Sequence, residues 1–121
     1  MTGTEFIAQA EVTLPNAQTI AQAESVYGKI DNDFVKKILS VTLADNFLES
    51  DDVLRFLNQK EILSAPQEFK IDFKREKLIP FFDAGDNDFI VYHIDSNQWS
   101  FMNITDGTCF SATDSLAELL G

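Results

Sequence analysis

His93 and Cys109 are the only histidine and cysteine of the chain, and their types could form a base and a nucleophile. Both fall in β-prone runs of the last third, with the run from Trp99 to Ile104 between them. In an antiparallel meander their side chains would lie about 10 Å apart, two strand spacings, which is too far for a dyad. We therefore predict no catalytic residue. His93 is expected to be a packed or partly exposed sheet histidine, and Cys109 a small buried hydrophobe.

Asp83, Asp86 and Asp88 crowd one short segment, and carboxylates are the ligands that hard cations prefer. An EF-hand loop starting at Asp83 would need Gly at position 88 and Glu at position 94, so the pattern does not fit. The sequence also has no Gly-rich phosphate loop. We predict no metal and no cofactor. The segment is then either a solvated turn or an acidic interface loop.

The distribution of charge indicates the kind of partner. Twenty acidic residues against nine basic ones give a net charge of −11, and no Lys or Arg follows Lys77. Such a surface would repel a phosphate backbone but attract a basic protein through a field that salt weakens. The sequence therefore predicts a protein partner and no nucleic acid. Solubility alone is the other explanation of an acidic surface.

The length of 121 residues and the 45% hydrophobic content predict one domain, residues 1–121. No run approaches the roughly 20 apolar residues that cross a bilayer, and Met1 to Glu5 lacks the basic start of a signal peptide. We therefore expect a cytoplasmic protein without membrane contact. The sequence leaves the oligomeric state open.

Two helices are predicted in the first third. Asn16 could cap a helix that runs to Tyr27 and stops at Gly28. Asp31 or Asn32 could cap a second helix that carries an apolar stripe from Phe34 to Leu39.

Four other segments have weaker patterns. Residues 1–15, apolar from Phe6 to Leu14, are expected to form a strand or a packed arm. Val53 to Leu57 fits a strand or a helix, and we favour a strand, followed by a helical turn over Asn58 to Leu63 that precedes Pro66. Phe69 to Phe73 alternates apolar and charged residues, which predicts a half-buried strand.

The last third predicts an antiparallel meander. Its β-prone runs are Leu78 to Phe82, Phe89 to Ile94, Trp99 to Ile104 and Thr108 to Phe110. Asp106-Gly107 indicates a hairpin with a type I′ turn. Ser115 and Glu118 fit a capping box that opens a final helix, with Thr113 as the alternative cap. The fold class is therefore α+β, a twisted, mostly antiparallel sheet with helices packed on one side.

Both faces of this sheet carry bulky residues, and the predicted helices cover only one. The amino-terminal arm or the curl of the sheet could cover the other face. Alternatively, that face is an aromatic patch that binds a protein. The candidate partner-binding residues are then Asp83, Asp86, Asp88, Asp95 and Trp99.

The chain resembles the SUKH superfamily over residues 17 to 121. The similar segments are Glu24 with Gly28, Ile30-Asp31 with Phe34 to Leu39, Phe56 to Ile62, Leu78-Ile79-Pro80-Phe81-Phe82, and Ser115 to Leu120. Two features depart from the family pattern. Asp31 stands where Pro is usual, and Ser40 to Leu48 lacks the common Asn-Gly.

The bacterial members of that superfamily are largely immunity proteins. The resemblance implies a cytoplasmic protein that binds and neutralises a cognate toxin domain, commonly a nuclease, with no catalytic residue of its own. A nuclease is basic where it holds phosphate, so an acidic binder suits that partner. A protein-binding regulatory module of the same fold, with no toxin partner, is the alternative.

Overall fold

A computed structural model describes residues 1–121 as one α+β domain with a five-stranded antiparallel sheet. Its elements, in chain order, are α1 (Gly3–Val12), α2 (Ala17–Tyr27), α3 (Asp33–Leu39), β1 (Arg55–Phe56), α4 (Gln59–Phe69), α5 (Phe73–Glu76), β2 (Leu78–Gly85), β3 (Asp88–His93), β4 (Gln98–Asn103), β5 (Cys109–Thr113) and α6 (Leu116–Leu120). The strands lie in the order in which they occur in the chain, so the predicted α+β class and meander are confirmed. No helix is long and apolar enough to cross a membrane.

The helices α2 and α3 begin and end as their caps predict. The side chains of Asn16 and Asn32 accept hydrogen bonds from the first-turn amides of Thr19 and Val35. Gly28, with a φ of 95°, ends α2 in a conformation that side chains with a Cβ rarely adopt. Asn32 rather than Asp31 is therefore the cap of α3.

Of the two expectations for residues 1–15, the strand is wrong and the packed arm is correct in its packing, because α1 occupies most of the segment. Thr2 and Glu5 form a capping box, a signal that the sequence interpretation missed. One turn apart, Phe6 and Ala10 are fully buried, so the segment packs on the core as a helix. The ring of Phe6 lies 4.9 Å from that of Phe56 and 5.0 Å from that of Phe82, measured between centroids.

The helix α4 continues to Phe69, beyond the predicted turn and through Pro66. A proline inside a helix has no N–H for the carbonyl four residues earlier, which here belongs to Ile62. The hydroxyl of Tyr27 donates a hydrogen bond to that carbonyl and replaces the missing donor. The tertiary contact therefore lets the helix pass the proline.

Two other predictions in the middle third need correction. Phe69 to Phe73 is not a strand, because α4 ends at Phe69, Lys70 turns the chain at a φ of 55°, and Asp72 caps α5. The alternation of apolar and charged residues that predicted a strand spans the junction between α4 and α5. The strand predicted over Val53 to Leu57 is confirmed only at Arg55–Phe56.

The turns of the meander differ in detail from the prediction. The type I′ geometry, with two consecutive positive φ angles, belongs to Asp86 and Asn87 between β2 and β3. Gly107 alone has a positive φ in the longer loop between β4 and β5. Ser115 precedes α6 without a side-chain cap. The alternative, Thr113, is closer to the observed contacts, since its hydroxyl accepts from the Ser115 N–H and donates to a Glu118 oxygen.

The two faces of the sheet have different surroundings. The Ile90 and Tyr92 face continues through Phe82 and Trp99 on the neighbouring strands, and α1 and α6 cover it. On the opposite face Phe69 packs against Phe89. Val91 and Ser100 on that face are fully buried, and an open groove of about 730 Å³ lies along the part that includes His93 and Cys109.

The Tyr27 hydrogen bond can be tested by a double-mutant cycle. Tyr27→Phe should lower the free energy of unfolding by about 1–3 kcal/mol, because it leaves the buried carbonyl of Ile62 without a donor. Pro66→Ala restores a backbone N–H at that position, so Tyr27→Phe should destabilise the Pro66→Ala protein by less. Urea denaturation of the four proteins measures both values. Equal effects of Tyr27→Phe in the two backgrounds would contradict the account.

Candidate protein-binding site

As predicted, His93 and Cys109 are not adjacent, because β4 lies between their strands. The structure places Ser100 of β4 between them, a residue that the sequence interpretation did not consider. The Nε2 atom of His93 lies 2.7 Å from the Ser100 hydroxyl oxygen. Burial lowers the pKa of His93, so this half-buried imidazole is neutral at pH 7.

This arrangement does not activate a nucleophile. Ser100 is 0% exposed, so its hydroxyl cannot reach a substrate. Cys109 is exposed, which corrects the prediction of a buried residue. Partial burial of its thiol still raises the pKa of Cys109, which favours the unreactive protonated form. The described residues also include no group of three or more His, Cys, Asp or Glu side chains placed to hold a metal ion.

The four candidate aspartates do not form one cluster. Asp83, Asp86 and Asp88 lie at the turn between β2 and β3, whereas Asp95 follows β3 at its other end. Six residues separate Asp88 from Asp95, and β3, from Asp88 to His93, already spans roughly 17 Å. Asp95 also lies 3.3 Å from the ammonium group of Lys77, so its charge is paired.

The three aspartates of the turn differ in how free they are to meet a partner. Asp83 accepts the N–H of Gly85 and lies 3.8 Å from the guanidinium group of Arg55. Asp88 is half-buried and accepts a hydrogen bond from the side-chain amide of Asn103. Asp86 is exposed. The carboxylates of Asp83 and Asp88 are therefore engaged in hydrogen bonds within the protein, and Asp86 is the exposed acidic residue of the turn.

Trp99 is not at the edge of an exposed aromatic patch. Its side chain is 4% exposed and packs against Phe81 and Tyr92, with centroid separations of 5.6 and 5.1 Å. The amino-terminal helix and α6 cover this face, so the alternative in which the amino-terminal segment covers it is correct. Trp99 is a core residue.

Exposed apolar side chains occur instead farther along the same face, toward the turn between β2 and β3. Phe110 of β5 is 43% exposed and stacks on Phe101 of β4 at a centroid distance of 5.4 Å. Val53, which is 50% exposed, and Leu119 of α6 line the same shallow groove of about 230 Å³. We call this feature the acidic groove, because Asp52 and Asp88 are among its lining residues.

The charged residues that line the acidic groove are Asp52 and Asp88, and no Lys or Arg lines it. Arg55, two residues beyond Val53, donates two hydrogen bonds of 2.8 and 2.9 Å to Glu61 and is thereby occupied. The groove thus combines exposed apolar surface with an unbalanced acidic rim.

The sequence interpretation missed Val53 and Phe110 as candidate binding residues. A usable signal was present for Phe110, because the last strand of a meander must lie at the edge of the sheet. Side chains of an edge strand have a neighbouring strand on one side only. Val53 had no comparable signal, since its place depends on how the 49–54 loop packs against Gly85.

A comparison with family models, curated proteins and solved structures finds no match. The candidate site therefore rests on geometry and charge. An aromatic side chain that can be buried by a partner, within a ring of polar residues, is the usual centre of a protein interface. Phe110 and the acidic rim have these properties.

The different roles of Trp99 and Phe110 predict different effects on stability. Trp99→Ala should lower the free energy of unfolding by about 3–5 kcal/mol, because it empties a packed core position. Phe110→Ala removes an exposed ring and should change it by less than about 1 kcal/mol. Urea denaturation of both variants measures these values. A loss of several kcal/mol for Phe110→Ala would show that its ring belongs to the core.

Proposed function

We propose that this protein is an immunity protein that binds a basic toxin domain through the acidic groove and neutralises it. The observation that carries the proposal is the exposed pair of Phe110 and Val53 beside the carboxylates of Asp52 and Asp88. Binding would bury the apolar side chains and place basic groups of the partner against the acidic rim. Apolar contact then supplies affinity, and charge supplies selectivity.

The charge of the whole chain supports a basic partner. A net charge of −11 produces a negative potential that attracts a basic domain before contact and speeds association. A nuclease domain is basic where it binds phosphate, so an acidic binder can occupy or border that surface. The rate of such an association falls as salt screens the charges.

The assignment of the partner as a toxin rests on the resemblance of residues 17–121 to the SUKH superfamily. A cytoplasmic location belongs to the same proposal, because an immunity protein of this kind meets its toxin inside the cell. A neighbouring reading frame that encodes a large secreted protein with a basic carboxy-terminal domain would support immunity. A regulatory module of the same fold would have no such neighbour.

Neutralising the acidic groove should slow association with the partner. In Asp52→Asn/Asp86→Asn two exposed charges are lost, one that lines the groove and one at the β2–β3 turn, two residues before Asp88. Asn adopts the positive φ of position 86 readily. The matched control, Asp31→Asn/Asp33→Asn, loses the same charge from exposed positions at the start of α3. A tagged-protein pull-down from the native organism at low salt identifies the partner by mass spectrometry. Surface plasmon resonance then measures the association rate.

We expect a basic toxin-like protein to be recovered at low salt and to be depleted at high salt. The groove variant should associate at least about threefold more slowly than the control variant. Recovery of cell-wall or signalling proteins would contradict the immunity function and favour the regulatory function. Equal rates for the two variants would exclude the acidic groove as the binding surface.

A further inference from the structure

The outer side of β5 is an open strand edge. The backbone hydrogen bonds of Cys109–Thr113 go to β4 and to no other element. Four of the five residues are exposed and Thr113 is half-buried. The opposite edge of the sheet is covered, because Phe47 bridges to Arg55 and the Phe56 N–H donates to the carbonyl of Asn46. The sheet can therefore accept another strand at β5 but not at β1.

Two of the usual protections against strand addition, charge and proline, are absent from this edge. Exposed edges in proteins are normally charged, interrupted by proline or a bulge, shortened, or covered by another element. The β5 sequence is Cys-Phe-Ser-Ala-Thr, with neither charge nor proline. Its one irregularity is a bulge, where Ser111 has a φ of 59°. A bulge bends the strand locally, so the regular part of the edge lies at Cys109 and Phe110.

The direction of the free backbone groups follows from the ladder. The N–H of Asn103 donates to the carbonyl of Thr108 at 2.9 Å. Inward and outward residues alternate along an antiparallel strand, so the next residue, Cys109, turns its N–H and C=O away from β4. Phe110, one residue further on, contributes its ring to the acidic groove. The open edge and the acidic groove are thus parts of one continuous surface.

We propose that an extended segment of the basic partner adds to β5 as a sixth strand and pairs with the outward groups of Cys109. This inference rests on the proposed function, because it takes the partner to be a basic protein. Backbone pairing would supply the hydrogen bonds of strand addition, and the flanking carboxylates would select basic side chains. Asp106 precedes the strand and Asp114 follows it, and no Lys or Arg occurs beyond Lys77.

Charge also argues against a second copy of this chain as the occupant. Two copies would bring together two net charges of −11 at an edge that is flanked by carboxylates in both. Like charges that face each other across an interface oppose association. A segment that alternates basic and β-branched residues meets no such opposition.

The test uses a synthetic peptide of about nine residues that alternates lysine and valine, a usual strand length. Amide hydrogen exchange of the full ¹⁵N-labelled protein is followed by NMR with and without the peptide. At a peptide concentration ten times the dissociation constant, exchange of the Cys109 amide should slow by about tenfold. Unchanged exchange at this amide would overturn the proposal.

Two control peptides separate strand pairing from attraction by charge. The same sequence with every backbone nitrogen methylated keeps its charge, but it cannot donate and its methyl groups hold its carbonyls away from the Cys109 N–H. A glutamate-for-lysine peptide keeps its backbone but reverses its charge. Neither should slow exchange at Cys109. Equal protection by the methylated peptide would exclude backbone pairing, and equal protection by the acidic peptide would exclude selection by charge.

A pair of variants tests the edge from the side of the protein. Ala112→Lys places a positive charge on β5, and Ala117→Lys places the same charge on an exposed position of α6. Ala112→Lys should weaken peptide binding by about tenfold or more, whereas Ala117→Lys should have a much smaller effect. Equal weakening by both variants would contradict pairing at β5.

The results distinguish this proposal from the proposed function. If the peptide changes the chemical shifts of Asp52 and Asp88 but does not protect Cys109, the sixth strand is excluded and the acidic groove remains a binding surface. Sedimentation of the free protein as a dimer that Ala112→Lys dissociates would make a second copy the occupant of the edge. Failure of the pull-down to recover a basic protein, together with protection of Cys109 by the basic peptide, would count against the proposed function but leave the β5 edge as a strand-accepting site.

Discussion

The contact of Phe6 with Phe56 and Phe82 joins the amino-terminal helix to the first two strands, and the rest of the fold depends on it. The sheet is apolar on both faces, so a chain of this size must find cover for each. Phe6 closes one face at the β1–β2 pair, and the Met1 carbonyl nearby accepts the N–H of Glu49. The helix therefore also fixes the start of the loop that carries Val53 to the acidic groove.

The parts of the fold that local chemistry decides could be predicted from the sequence. Asn16 and Asn32 cap α2 and α3 because their side chains accept backbone amides, and the turn residues of the last third separate the strands. The helix α1 was missed because only one large residue, Phe6, stands in its buried stripe beside Gly3 and Ala10, although Thr2 and Glu5 form a capping box. The passage of α4 through Pro66 could not be predicted, because it depends on the hydroxyl of Tyr27, a residue 35 positions from Ile62.

The candidate site shows the same division between local and tertiary causes. The acidic character of the last third follows from counting residues, and it remains the reason to expect a basic partner. The sequence does not show which carboxylates are free to meet a partner. In the structure Asp95 pairs with Lys77, and Asp83 accepts a hydrogen bond from a backbone N–H. Trp99 and Phe110 both lie in β-prone runs, but only the order of the strands and the packing of α1 and α6 bury one and expose the other.

The central claim is that the acidic groove and the β5 edge together form the surface that a basic partner covers. Hydrogen–deuterium exchange of the protein, alone and in complex with the recovered partner, tests this most directly by mass spectrometry. We expect slower exchange in residues 50–54, 84–88 and 101–113, with α2 and α3 unchanged. Protection confined to α2 and α3, with β5 exchanging as in the free protein, would contradict it.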